Sequence, residues 1–175
     1  MPARSGQLSP ASRRIATLFL TLAAACGLTL AAQGLPAGAA VSTGPSGMKW
    51  VGGNRGSQNM NPGMSCNACH SQGEGPRFAV AGTVYTKLDE KNLEFGVAGA
   101  VVLVTDAKGQ AVKLTTNKAG NFFAGRNITL AFPITAKVLF NGKERAMLSP
   151  QSTGDCLMCH QAKGLAGAPG RIIIP

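Results

Sequence analysis

The sequence predicts a mainly β chain: a small antiparallel β-sandwich over residues 78–149, flanked by two irregular or short-helical segments. Three observations lead there. Short apolar runs recur between positions 78 and 149, and turn residues separate them. Outside that span loop-forming residues dominate, in a chain holding 23 Gly and 10 Pro among 175 residues. A five-residue pattern, Cys-x-x-Cys-His, stands once on each side of the strand-rich region.

The strands follow in order. Phe78 to Tyr85 alternates small and large residues, and Ala98 to Thr105 contains the run Val101-Val102-Leu103-Val104. Ala111 to Thr116, Asn121 to Ala124, Ile134 to Phe140 and Lys143 to Leu148 come next. Asp106-Ala107-Lys108-Gly109 and Asn117-Lys118-Ala119-Gly120 are turn sequences, and Asn141-Gly142 is a strong two-residue hairpin signal. Arg171 to Pro175 is a candidate last short strand. Residues 41–65, rich in Gly, Ser, Asn and Pro, read as an irregular arm, with Trp50 expected to cover an apolar edge. The expected organisation is a leader over 1–40, an arm with the first motif over 41–77, the sandwich over 78–149, and the second motif with a tail over 150–175.

The two motifs are Cys66-Asn67-Ala68-Cys69-His70 and Cys156-Leu157-Met158-Cys159-His160. They hold both histidines of the chain and four of its 5 cysteines. This is the pattern of c-type haem attachment. Two thiols at this spacing can each add to one vinyl group of a haem, and the adjacent His is carried under the iron. The expected cofactors are therefore two covalently bound haems c, held by Cys66, Cys69, Cys156 and Cys159, with His70 and His160 on the irons. Disulfides, a structural zinc and a redox dithiol are the competing readings. None of these requires a histidine at the same place twice, and zinc would need the pairs to meet across the span from Cys69 to Cys156.

With both histidines proximal, methionine is the natural distal ligand, because a thioether is soft and favours reduced iron. Met48, Met60, Met64, Met147 and Met158 remain after the leader. Met158 lies inside its own motif and is excluded. Met60 and Met147 precede their motifs at similar spacing and are favoured, with Met64 a close rival to Met60. Packing against apolar surface is the competing role for each. Five-coordinate iron, or a ligand from Lys or a partner, stays open. Arg171 reads either as a propionate partner or as a surface arginine.

The N-terminus agrees with haem attachment outside the cytoplasm. Arg4, Arg13 and Arg14 precede the uncharged apolar run Ile15 to Ala32, and Ala37-Gly38-Ala39 supplies a small-residue cleavage site. This is the pattern of a secretory signal peptide. Ser12-Arg13-Arg14 is a fragment of a twin-arginine signal, and Ala23-Ala24-Ala25-Cys26 has partial lipoprotein character. An uncleaved or lipid anchor is the one membrane association the sequence allows. The formal net charge is +10, and cleavage removes those three arginines and no acid. The remaining basic residues, Lys87, Lys91, Lys108, Lys113, Lys118, Lys137 and Lys143 among them, are dispersed without interleaved aromatics, which excludes nucleic acid as a partner. A mildly positive surface suits an acidic redox partner protein.

Gly82-Thr83-Val84, the stretch Gly96 to Asp106 with Gly109, Thr115-Thr116-Asn117 and Gly120-Asn121-Phe122 resemble the carboxypeptidase-regulatory-like (transthyretin-like) domain. That resemblance implies a small β-sandwich with a structural or adhesive role rather than a catalytic one. Taken whole, the chain resembles a small secreted bacterial c-type cytochrome with the sandwich between its haem motifs. The expected function is one-electron transfer in the periplasm or at the cell surface, by an electron carrier and not an enzyme. Alternatives are a haem-bearing structural subunit of a cell-surface redox assembly, where self-association is expected, and a zinc- or disulfide-stabilised sandwich. A di-haem peroxidase would need Glu74 or Asp155 to act alone as acid and base.

Overall fold

The computed structural model describes residues 56–175 apart from Glu74. The expected leader over 1–40, Cys26, Met48, Trp50 and Glu74 lie outside the described residues.

Among the described residues, seven strands form two sheets. A helical turn, α1 (Cys66–His70), leads into β1 (Phe78–Tyr85); then come β2 (Val101–Thr105), β3 (Ala111–Thr115), β4 (Asn121–Gly125), β5 (Thr135–Phe140) and β6 (Lys143–Ala146). A single 3₁₀ turn at Cys156–Met158 and the two-residue β7 (Ile172–Ile173) close the chain. One sheet has the order β4-β1-β7 and the other β3-β2-β5-β6.

Strand β2 shows why the larger sheet forms. Its inward residues Val102 and Val104 are buried and its outward ones half-buried, the period of a strand with one packed face. Val102 sits between Leu114 of β3 and Val138 of β5, and Val104 between Val112 and Ala136. These meet Val80 and Val84 of β1 and Phe122 and Ala124 of β4 in one apolar core shared by both sheets. Strand β6 carries Lys143, Glu144, Arg145 and Ala146, all exposed, and this charged edge discourages pairing with another chain.

The turns obey their local chemistry. Asn141 (φ 48°) and Gly142 (φ 75°) both take left-handed backbone, as the two-residue hairpin between β5 and β6 requires. Asp106 Oδ1 accepts from the N–H groups of Lys108 (2.9 Å) and Gln110 (2.8 Å), and Oδ2 from that of Ala131 (2.9 Å). Asn117 Oδ1 accepts from Ala119 N and Asn121 N at the next turn.

Strand β1 is buried on both faces. Val80 and Val84 enter the shared core. On the opposite face Thr83 Oγ1 accepts from Gly63 N at 2.9 Å, so the segment before α1 covers the sheet. Asn121 Nδ2 donates to the carbonyls of Gln58 (3.3 Å) and Met60 (2.8 Å), tying the same segment to β4. Residues 56–65 therefore hold no strand or helix of their own, as expected of an arm, yet they are stitched to the sandwich.

Every strand pair within 78–149 is antiparallel, as expected. The last strand, β7, lies outside that span and runs parallel to β1, with Val84 opposite Ile172 and Tyr85 opposite Ile173. The chain returns to β1 after the second motif, a crossover long enough for parallel pairing. Arg171 is neither a surface group nor free to meet a propionate with its whole fork. It is buried, donates from Nη1 to Gly63 O (2.9 Å) and from Nε to Glu90 O (3.2 Å), and lies 5.3 Å from the Tyr85 ring centroid.

Candidate haem-binding site

The first motif forms α1. Its N-cap position, Ser65, has extended backbone but makes no side-chain cap of its own. The cap comes from the far end of the chain: Asp155 Oδ2 accepts from Asn67 N (3.0 Å) and from Ser65 Oγ (2.6 Å). A carboxylate in this role is worth about 0.5–2 kcal/mol. Asn67 in turn bonds Phe78 at the start of β1 through its side chain, Nδ2 to the carbonyl (2.9 Å) and Oδ1 from the N–H (3.1 Å).

The second motif is seated on the same strand. Ala81 N donates to Gly154 O at 2.9 Å, and Asp155 makes a parallel bridge to Ala81. The absence of a side chain at Gly82 lets this segment approach, since a Cβ there would lie 3.3 Å from Cys156 Cβ.

Each motif histidine is held in the same way. His70 Nδ1 lies 2.8 Å from the Pro76 carbonyl, and His160 Nδ1 lies 2.8 Å from the Gly170 carbonyl. A carbonyl can only accept, so Nδ1 carries the proton and Nε2 keeps its lone pair for a metal. The His70 ring also packs on Phe78 (4.7 Å between centroids), which packs on Phe123 (4.9 Å). Gly75 makes room for that ring: a Cβ there would fall 2.6 Å from His70 Nδ1.

No disulfide joins the four described cysteines. Burial first, then the Asp155 carboxylate, push the Cys66 thiol up to about 12. The same two causes, followed by the neighbouring Cys66, push Cys156 up to about 12. Sulfurs in such surroundings are suited to a neutral thioether and poorly suited to a thiolate. Among the described residues no three His, Cys, Asp or Glu side chains converge as a metal set.

A cavity of about 400 Å³ opens beside the second motif, within the range of about 300–1,000 Å³ usual for ligand sites. Cys156, Cys159 and His160 line it, and so does Met147. Its wall is largely apolar and includes Phe122 and Ile134 from the sandwich core; Asp155, Arg145 and Lys137, the last paired with Glu144 at 2.7 Å, are among its charged members. A flat apolar group with two acid tails, bonded through cysteine and ligated by histidine, matches these residues. Met60 and Met64 do not line this cavity. Met60 is positioned by its backbone, through the bond from Asn121, and its side chain is half-buried.

Of the residues singled out from the sequence, the structure brings Cys156, Cys159, His160 and Met147 to one cavity. Sequence reasoning left other parts of the surroundings unread. It weighed Asp155 only as an acid–base group and missed Pro76, Gly75 and Gly170. A glycine inside a strand run, Gly82, was the available signal that another segment approaches β1.

No family model, curated protein or solved structure matches the chain.

Proposed function

We propose that this chain is a di-haem c-type cytochrome that carries single electrons outside the cytoplasm. The observation that supports it best is the matched histidine pair. In both motifs Nδ1 is committed to a backbone carbonyl at 2.8 Å, which orients the ring and leaves Nε2 for iron.

Bound haem supplies an iron that gains and loses one electron without breaking a bond. Cys66 and Cys69 hold one group and Cys156 and Cys159 the other. His70 and His160 would be the histidine ligands. Met147, beside His160 in the cavity, is the candidate distal ligand of the second site, and Met60 that of the first. The largely apolar sandwich wall lowers the polarity around the second site, which would favour the less charged, reduced iron. The basic surface suits docking to an acidic donor or acceptor protein. Asp155, the acid–base candidate of the peroxidase alternative, is engaged in capping α1, which favours a carrier over an enzyme.

The test is a pyridine haemochrome assay after acid–acetone extraction, on protein matured with c-type attachment machinery. Two non-extractable haems per chain are expected. A chain that carries zinc or disulfides and no haem overturns the proposal.

A further inference from the structure

The two motifs lie 90 positions apart in sequence, measured from Ser65 to Asp155, yet one carboxylate joins their first residues. Asp155 immediately precedes Cys156. Its Oδ2 accepts from Ser65 Oγ (2.6 Å) and Asn67 N (3.0 Å), the residues on either side of Cys66. Both motif starts rest on β1: Asn67 bonds Phe78, and the Gly154–Asp155 segment bonds Ala81.

The arrangement is expensive. Asp155 is 4% exposed, and its second oxygen, Oδ1, is buried with no hydrogen-bond partner. A buried polar atom left unsatisfied loses its hydration without return. What the side chain secures in return, through the one acceptor oxygen Oδ2, is a rigid and centrally placed link between the motifs.

We infer that Asp155 is the positioning residue that locks the two Cys-x-x-Cys-His segments into one di-haem unit, in which the groups bound through Cys66 and Cys156 are neighbours and exchange electrons directly. The inference rests on the di-haem reading. The exchange balances by itself: the electron lost at one iron is the electron gained at the other, with no proton or bond transferred. An external redox protein then needs to reach only one of the two sites.

The test is Soret circular dichroism of the haem-loaded protein and its variants. Neighbouring haems couple their transitions and give a paired positive and negative band, whereas isolated haems give a single one. The wild type is expected to show the pair. Asp155→Leu, which has no acceptor, is expected to lose it while keeping two haems. Asp155→Asn, which keeps an acceptor oxygen for Ser65 and Asn67, is expected to retain it. Should Asp155→Leu fail to mature, Ser65→Ala, which removes one donor and leaves both motifs intact, is expected to weaken the pair. Two haems with single-signed bands in the wild type overturn the inference and leave the cytochrome reading standing. A paired band unchanged in Asp155→Leu, or in Ser65→Ala where that variant stands in, removes Asp155 from the role. Absence of haem in the wild type is the separate failure of the cytochrome reading.

Discussion

His160 Nδ1 and the carbonyl oxygen of Gly170 are 2.8 Å apart, and this contact ties the second motif to the turn that starts β7. The same device holds His70 against Pro76 at the turn that starts β1. Each motif histidine is thus fixed by the backbone that enters a strand of the three-stranded sheet. Ring orientation is coupled to the fold.

Disturbing one of these rings should disturb one site alone. Gly75→Ala places a Cβ within 2.6 Å of His70 Nδ1, so the ring must tilt or its bond to Pro76 must lengthen. In a redox titration one of two haem midpoints should shift while the other stays. Two unchanged midpoints would contradict the packing described.

The proposed methionine ligands can be tested one at a time. Met147→Leu should remove about half of the near-infrared charge-transfer band of methionine-ligated ferric haem, with one midpoint falling as the soft ligand is lost. Met60→Leu should remove the other half. An intact band in Met60→Leu would transfer the role to Met64.

The junction between the second motif and β1 has no room for a side chain. At Gly154 a Cβ would overlap the carbonyl of Ala79. Gly154→Ala should therefore cost about 1–3 kcal/mol as the segment is pushed off the strand. Thermal unfolding of the variant against wild type measures it, and an unchanged Tm would show that this contact gives way freely.

The core makes a similar demand. Phe122 is 2% exposed and faces both the sandwich interior and the cavity wall. Phe122→Ala should destabilise the protein by about 3–5 kcal/mol. Denaturant unfolding provides the number, and a loss below ~1 kcal/mol would mean that the cavity collapses around the smaller side chain.

The pH dependence of the haem-free chain has a definite sign. Cys66 and Cys156 are raised from the ordinary 9.0 to about 12, so the folded state holds their protons more tightly than the unfolded one. Their contribution is complete below pH 9.0 and is lost as pH climbs toward 12. Tyr85, also raised by burial, adds the same trend only above its ordinary 10.0. Denaturation midpoints under reducing conditions should therefore fall between pH 9 and 10 in the haem-free chain. In the haem-loaded protein, whose thioethers do not titrate, they should stay level. A fall of equal size in both forms would assign the effect to other groups.

Much of the fold was legible because it is written in local patterns. Phe78 to Tyr85 is a strand at the expected boundaries, and Asn141-Gly142 forms the expected hairpin turn. Boundaries slipped where local signals were weaker. The run from Ala98 becomes strand only at Val101, because Gly99 takes a left-handed turn (φ 77°) just before it. Lys143 to Leu148 ends as strand at Ala146, although Met147 N still donates to Ala136 O.

The sequence alone determined the two Cys-x-x-Cys-His motifs, on which the haem proposal rests, and the strands of the larger sheet. Each depends on residues a few positions apart, whose spacing and propensity act before any long-range contact forms. Only the tertiary structure decided that β7 pairs parallel to β1, that Met147 faces the cavity of His160, and that Asp155 caps the helix bearing Cys66. Those relationships join residues far apart along the chain. They exist because both motifs must share the one strand, β1, whose two faces are both covered.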